Sequence, residues 1–311
     1  MKKLTGVVVL LAAVAALGCA TGVSENPNAV GQYSFGTPSN LGAEINSAAP
    51  DGSPCISADG LELYFHSGRP GGAGGMDLWV ATRSSVDAPW GAPVNLGPTV
   101  NSPANEIAPS ISSDGLELYF SDYVSYRPGG VGKSDIWVVR RRTRNSPWST
   151  PLNLGPMVNT PGEEITPEIS ADGLELYFES DRPGGVGSDD LWVARRASTS
   201  ATWEAPVWLG AAINGEGMDH CATITNDGLT LFYDSNAAGE KTGDLMVTHY
   251  LRSQNNWSEP VNLGSALSGH YASDISADGE TLYYTSEAPG GAGATDIWQV
   301  PIRLNGKPVS E

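Results

Sequence analysis

The chain has 311 residues, including 38 glycines and 22 prolines, and its 35 acidic and 17 basic side chains give a formal net charge of −18 at pH 7. So acidic a chain is a poor partner for nucleic acid or for anionic lipid head groups, because like charges repel. Three cysteines are too few for a disulfide-stabilised scaffold. The length is ample for one sizeable hydrophobic core.

Residues 1–19 have the pattern of an export signal. Lys2 and Lys3 form a basic start, and Val7–Leu17 is an apolar run too short to cross a bilayer as a helix. The small residues ahead of Cys19 resemble a bacterial lipobox, in which cleavage leaves a lipidated cysteine at the new N-terminus, although Ala16 stands where leucine is usual. An ordinary secretory signal is the alternative. We expect lipidation of Cys19 and a polar tether over residues 20–32.

One ten-residue sequence dominates the rest of the chain. ISADGLELYF occurs at Ile56–Phe65 and again at Ile169–Phe178, and related copies begin at Ile111, Ile224 and Ile275. A catalytic residue is needed once, so five copies indicate architecture first. A leucine–glycine pair recurs with them at intervals of 54 to 58 residues, its leucines being Leu41, Leu96, Leu154, Leu209 and Leu263.

Each repeat contains four short segments typical of β-strands and no helical periodicity. In the second repeat, Glu106–Ser112 predicts a first strand, and Leu116–Ser121 alternates apolar and polar residues as a second strand does. Asp135–Arg140 predicts a third strand after a glycine-rich loop. Trp148–Asn153 predicts a fourth strand, and its proline suits the edge of a sheet, where no inner hydrogen-bond partner is needed. Four antiparallel strands in each of five repeats predict a five-bladed β-propeller.

The two ends of the repeat array indicate that the ring is closed. Phe35–Asn40 has the pattern of a fourth strand with no first three before it, whereas the last repeat has a third strand at Asp296–Val300 and no fourth. We therefore expect the N-terminal strand to complete the last blade, which removes exposed sheet edges. Residues 33–311 are thus predicted to form one all-β propeller domain.

The repeated pattern SxDG, then LYF, then DIW resembles the WD-repeat-like propeller repeats of bacterial envelope proteins, including the propeller half of TolB. Examples here are Ser57–Gly60, Leu63–Phe65 and Asp135–Trp137. The resemblance extends over roughly residues 33–303. It implies a propeller located in the cell envelope, and it implies little about activity because such propellers serve many roles.

An acidic position recurs five residues before the isoleucine of each repeat, and we expect its side chains to encircle the upper mouth of the channel. One interpretation is structural, with the carboxylates accepting N–H groups of the neighbouring loops. Another is a ring that binds a ligand or a cation, and a third is a glycoside-active enzyme that uses three of the carboxylates. The five residues are Asp51, Glu106, Glu164, Asp219 and His270.

Two recurring features near this mouth favour structural roles. Arg69, Arg127 and Arg182 begin three glycine-rich loops and are expected to pair with internal carboxylates. The aspartate that precedes each third strand is expected to bond to the main chain of the glycine loop. These aspartates are Asp77, Asp135, Asp190, Asp244 and Asp296.

Departures from the repeat suggest where a ligand could bind. Blade 2 has an insertion containing Tyr123 and Tyr126, which could stack on a sugar or anchor a protein partner. Asp219, His220 and His270 come from adjacent blades, but no histidine pair has a metal-ligand spacing, so we expect no metal.

The sequence as a whole predicts a non-catalytic, lipid-anchored binding scaffold without a cofactor. The expected partner is a protein or glycan of the cell envelope, and the chain is expected to be a monomer.

Overall fold

The computed structural model describes residues 33–123, 127–236, 243–263, 267 and 270–304. The described residues form 22 β-strands and no α-helix. Accordingly, no described segment is a helix long and apolar enough to cross a membrane. The strands form five antiparallel sheets, which confirms the predicted all-β, five-bladed propeller.

Blades 1 to 3 have four strands each, ordered from the channel outwards. Blade 1 contains β3 (Asp51–Ile56), β4 (Glu62–Ser67), β5 (Asp77–Thr82) and β6 (Val94–Asn95). Blade 2 contains β7 (Glu106–Ile111), β8 (Glu117–Asp122), β9 (Ile136–Arg140) and β10 (Leu152–Asn153). Blade 3 contains β11 (Glu164–Ile169), β12 (Glu175–Ser180), β13 (Asp190–Arg195) and β14 (Val207–Trp208).

Blades 4 and 5 have longer third strands, each paired with two short outer segments. Blade 4 contains β15 (Asp219–Ile224), β16 (Thr230–Ser235), β17 (Asp244–Leu251), β18 (Asn256–Trp257) and β19 (Val261–Asn262). Blade 5 contains β20 (His270–Ile275), β21 (Thr281–Ser286) and β22 (Asp296–Leu304), with β1 (Tyr33–Phe35) and β2 (Ser39–Asn40) at its outer edge.

The N-terminal strands complete the last blade, as the sequence predicted. Tyr33 is paired with Leu304, and Asn40 with Trp298. The inner strand β3 contacts both β7 and β20, so the five inner strands form a closed circle around the channel.

The copied LYF motif explains how neighbouring blades pack. Successive side chains of a strand point to opposite faces, so the tyrosine faces one neighbouring blade while the leucine and phenylalanine face the other. Tyr64 of blade 1 packs with Leu118 and Phe120 of blade 2, and all three side chains are at most 1% exposed. The equivalent positions pack in the same way at the other four junctions, with Phe232 in place of the tyrosine and with Tyr233 and Tyr284 in place of the phenylalanine, so the core consists of five layers between blades.

The predicted fourth strands are longer than the observed ones. In blade 2 only Leu152–Asn153 pairs with β9, whereas the prediction began at Trp148. Trp148 instead packs outside the ladder, its ring edge-on to Tyr64 at 6.5 Å. Pro151 has no N–H with which to extend the pairing.

Replacing Tyr33 by alanine tests the closure of the ring. The Tyr33 ring lies edge-on to Phe232 at 5.5 Å and stacks on His249 at 6.0 Å. We expect Tyr33→Ala to lower the free energy of unfolding by about 2 kcal/mol, because these contacts are lost where β1 joins the ring. Urea denaturation measures the change. Tyr123→Ala, at a 40% exposed tyrosine, should change stability by less than about 0.5 kcal/mol; equal losses in both variants would contradict the closure role.

Candidate functional site

Four of the recurring acidic residues, which we call the loop-anchoring carboxylates, begin the inner strands of blades 1 to 4. All four are fully buried, at 0% exposure: Asp51, Glu106, Glu164 and Asp219. Each accepts the main-chain N–H of the residue four positions earlier, in the loop that arrives from the preceding blade. The donors and distances are Ser47 at 2.6 Å, Ser102 at 3.0 Å, Thr160 at 2.5 Å and Gly215 at 2.6 Å.

The carboxylate of Glu164 is surrounded by hydrogen-bond donors. Besides the N–H bond, it accepts the hydroxyls of Thr160 at 2.6 Å and Ser180 at 2.8 Å. Arg182 lies 3.1 Å away as an ion-pair partner. A buried carboxylate is stable when its oxygens are satisfied in this way.

The arginines that begin the glycine-rich loops form the internal pairs that the sequence predicted. The guanidinium of Arg182 lies over the rings of Phe178, at 4.9 Å, and Trp192, at 5.3 Å, and donates to the carbonyl of Val158 at 2.5 Å. This position combines cation–π contact with charge pairing. The three arginine–carboxylate distances are 2.6 Å for Arg69–Asp51, 3.7 Å for Arg127–Glu106 and 3.1 Å for Arg182–Glu164.

In blades 1, 2, 3 and 5 the glycine-rich loop also packs on the next blade. In blade 2, Asp135 accepts the N–H groups of Val131 and Gly132, as expected for a residue that caps the loop. A side chain at Gly132 would lie 2.1 Å from the carbonyl oxygen of Thr160, so only glycine permits this approach. The N–H of Lys133 then donates to Gly162 in the loop of blade 3 at 2.9 Å. The long loops of these four blades thus interlock with the loops of their neighbours.

The loop-anchoring carboxylates act on the loops in this arrangement. A ligand that contacted them directly would first have to displace their hydrogen bonds. Glu106 is the carboxylate whose arginine is the most distant of the three. Burial raises its pKa to about 7, against the lowering effect of its bonds to Ser102.

The remaining predicted site residues are only partly within the described structure. Tyr123 follows β8 and is 40% exposed at the long-loop face. Tyr126 and Cys19 lie outside the described residues. His270 begins β20 and pairs with Ser286 through the main chain, and its side chain lies outside the described part.

His220 contacts different groups from those that its sequence position suggested. Its Nδ1 lies 3.3 Å from the sulfur of Cys221, and both residues approach Glu179 of blade 3. Asp219 instead bonds to its own loop. Glu179, His220 and Cys221 therefore form a cluster that crosses between blades 3 and 4, whereas the grouping of Asp219, His220 and His270 stays a prediction, because the side chain of His270 lies outside the described part.

A ring of polar side chains, which was not predicted from the sequence, lies around the middle of the channel. We call these residues, which occupy one equivalent position on the five inner strands, the channel belt. Cys55, Glu168 and Asp274 each line two pockets, one on the long-loop side of the channel and one on the opposite side. The belt therefore lies between the two pockets. The belt consists of Cys55, Ser110, Glu168, Thr223 and Asp274.

The belt connects each inner strand to the next. Four belt side chains accept the N–H of the isoleucine that follows the belt position in the next blade. At the remaining junction, between blades 4 and 5, the hydroxyl of Thr223 donates to Asp274 at 3.1 Å, and it also lies 3.4 Å from Glu168 of blade 3. The four bonds are Ile111 to Cys55 at 3.3 Å, Ile169 to Ser110 at 3.0 Å, Ile224 to Glu168 at 3.5 Å and Ile56 to Asp274 at 2.6 Å.

The two belt carboxylates have raised pKa values because they are buried close together. Burial raises the pKa of Asp274 to about 6. Burial, followed by the charge of Asp274, raises the pKa of Glu168 well above its usual range. Two carboxylates that contact one hydroxyl resist double ionisation. The signal in the sequence was the variation Cys, Ser, Glu, Thr, Asp at one position of otherwise copied strands.

Neither a known protein family nor a curated protein matches the sequence, but many solved structures share its fold. One similar structure is a family 117 glycoside hydrolase produced by the marine bacterium Zobellia galactanivorans, with a TM-score of 0.58 and 12% identity, covering 88% of this chain and 90% of that one. Another is an alpha-L-arabinofuranosidase from Lactobacillus brevis, with a TM-score of 0.55 and 15% identity, covering 84% and 92%.

The chain is also similar to TolB from Acinetobacter baumannii, with a TM-score of 0.50 and 14% identity over 82% of this chain. The match covers 56% of TolB, so this chain spans about half the length of that protein. At such identities the likeness shows the fold alone. The sequence resemblance to TolB-type propellers is thereby supported as a resemblance in fold.

Replacing Glu164 by alanine tests the loop-anchoring role. The variant leaves Arg182 buried without its partner, so we expect a loss of about 3 kcal/mol in the free energy of unfolding. Glu204→Ala, at an exposed carboxylate, is the matched control and should change stability by less than about 0.5 kcal/mol. Urea denaturation at pH 7 compares the two, and a Glu164 variant as stable as the control would disprove the assignment.

The channel belt predicts a specific pH dependence. Because the raised pKa of Asp274 means that the folded protein holds this proton more tightly than the unfolded chain, its stabilising contribution is present below pH 4 and is lost as pH rises through about 6. Relative to Asp274→Asn, the wild type should lose on the order of 2 kcal/mol between pH 4 and 7. Urea titrations across this range measure the difference, with exposed Asp87→Asn as control. Parallel profiles for wild type and Asp274→Asn would contradict the prediction.

Proposed function

We propose that this chain is a non-catalytic binding scaffold whose long-loop face binds a protein or glycan of the bacterial cell envelope. The observation that carries the proposal is the burial of the loop-anchoring carboxylates in bonds to their own loops. Together with the interlocked glycine loops, these bonds fix the surface before a partner arrives. A preorganised surface binds with a smaller entropic cost.

The long-loop face of blades 2 and 3 offers suitable contact residues. Four apolar side chains are exposed there, which we call the blade 2–3 patch: Tyr123 at 40%, Val131 at 37%, Met157 at 55% and Val186 at 53%. Exposed apolar residues grouped on one face are typical of interaction sites, and tyrosine is frequent among the residues that dominate binding energy. The partner is therefore expected to contribute an apolar or sugar-ring surface.

Location at the envelope is part of the same proposal. It is supported by the basic start, the short apolar run and the small residues before Cys19. In this proposal Cys19 carries a lipid, residues 20–32 connect it to the ring, and the propeller is a monomer. Mass spectrometry of the protein from a membrane fraction would detect the lipidated cysteine, and an unmodified Cys19 in the mature protein would disprove the anchor.

A glycoside-active enzyme is less consistent with the geometry. Such enzymes place two carboxyl groups about 5 to 10 Å apart on either side of the scissile bond. Here Asp51, Glu106 and Glu164 are buried and bonded to loops and arginines. The belt carboxylates Glu168 and Asp274 are likewise used in bonds that join the blades.

Two valines of similar exposure allow a matched test of the binding face. Val186, 53% exposed, lies on the long-loop face, whereas Val86, 57% exposed, lies on the opposite face beside the turn at Gly60. Val186→Asp should reduce binding of the envelope partner at least about 10-fold by placing a charge in the contact, and Val86→Asp should leave it unchanged. Retention from solubilised envelope and from purified cell-wall glycan measures the effect.

The same preparations separate binding from catalysis. Equal retention of the two aspartate variants would disprove the proposed face. The enzyme interpretation would be correct if the wild type hydrolysed an envelope polysaccharide and Glu164→Ala lost this activity at an unchanged melting temperature. That result would disprove the scaffold proposal.

A further inference from the structure

Three potential metal ligands meet at the junction between blades 3 and 4. They are Glu179 on β12 and the consecutive residues His220 and Cys221 on β15, and one ligand atom from each lies within 4.8 Å of the others. We call them the junction cluster. Glu179 is 4% exposed and Cys221 is 8% exposed, and His220 is half-buried, so the cluster is reached from solvent mainly at the histidine.

A β-bulge brings the two consecutive residues to the same place. Side chains of neighbouring residues in a regular strand point to opposite faces. Cys221, however, has a φ of 54° at the register shift of β15, which is an unusual conformation for a residue other than glycine. The turn of the main chain leaves the Nδ1 of His220 3.3 Å from the sulfur of Cys221.

The architecture of the repeat does not require this combination. The same bulge recurs in the other blades, for example at Ser53, Ala108 and Thr166, so the conformation is structural but the side chains are free to vary. At none of the other four junctions do the three equivalent positions hold more than one potential ligand. These sets are His66, Ile107 and Ala108; Ser121, Ile165 and Thr166; Asp234, Tyr271 and Ala272; and Thr285, Gly52 and Ser53.

Coordinating atoms remain available in the junction cluster. Both hydrogen bonds of the Glu179 carboxylate go to Oε2, from the hydroxyl of Thr166 at 3.0 Å and the N–H of Cys221 at 3.4 Å. Within the described part of the chain, Oε1 of Glu179 and Nε2 of His220 take part in no hydrogen bond. A carboxylate beside an imidazole and a thiol has the composition of a metal site.

The charges around the cluster favour a cation. Asp189, Asp181 and Glu163 lie nearby, and burial followed by the charges of the other two acids raises the pKa of Asp189. Lys133 pairs with two of them, lying 3.5 Å from Asp181 and 3.9 Å from Glu163. The local charge stays negative, which concentrates cations at this part of the long-loop face.

We propose that Glu179, His220 and Cys221 bind a zinc ion at the wall of the channel. Nitrogen, sulfur and oxygen donors together suit zinc, whereas magnesium and calcium prefer oxygen ligands alone. Three protein ligands leave a fourth position for water or for an atom of a bound partner. Cys221 also lines the pocket on the long-loop side of the channel, so the zinc borders that pocket.

Zinc titration of the metal-free full chain, in competition with a chromophoric chelator, tests the site. We expect one zinc ion per chain with a Kd below about 1 µM, and an increase in melting temperature of about 5 °C at a 100-fold excess of zinc over Kd. Removal of any one ligand should weaken binding at least about 10-fold. The ligand variants are Cys221→Ser, His220→Gln and Glu179→Gln, and the matched controls, which should bind as the wild type does, are Cys55→Ser, His249→Gln and Glu168→Gln.

Cobalt substitution identifies the sulfur ligand without relying on affinity. The cobalt(II) protein should show a sulfur-to-cobalt charge-transfer band that disappears in Cys221→Ser and persists in Cys55→Ser. Absence of stoichiometric zinc binding by the wild type would overturn the proposal. So would zinc binding of unchanged affinity in all three ligand variants, which would place the ion elsewhere in the chain.

Discussion

The structure depends on hydrogen bonds that cross from each inner strand to the next around the channel. An inner strand has a sheet partner on one side only, and its other edge would leave buried N–H groups unpaired, at a cost of about 1–3 kcal/mol each. The channel belt supplies acceptors for the isoleucine N–H groups, and the bulged N–H groups, such as that of Thr166, donate to the preceding blade. The five blades form a stable ring because this inner edge is satisfied.

Two kinds of polar position surround the channel, and they differ in how freely their side chains vary between blades. The loop-anchoring carboxylates keep one chemical type because each performs the same task, which is to hold an arriving loop. The belt has five different side chains because an N–H group can be satisfied by a thiol, a hydroxyl or a carboxylate. Uniform residues here indicate architecture. Positions that differ between blades can acquire specific chemistry without loss of the fold.

Much of this arrangement could be predicted from the sequence. The five related copies of the ten-residue sequence predicted the blade count, and the unmatched strand pattern at Phe35–Asn40 predicted the closure, because both follow from strand periodicity and from the spacing of the repeats. Glu179 and Cys221 could not be connected in advance, since they lie 42 residues apart and meet only through the bulge and the angle between two blades. The length of the fourth strands was overestimated, because in blade 2 the packing of Trp148 on the neighbouring blade overrides its strand-like sequence pattern.

The paired ends of the chain also determine how the ring would respond to mechanical force. A pull on the polypeptide ahead of Tyr33 acts first on β1 and then on β2, which together contribute five paired residues to β22. Blades 1 to 4 are built from continuous chain and receive the load only after that contact yields. Tension would therefore detach the outermost segments of blade 5 first and uncover the edge of β22, leaving the other four blades folded.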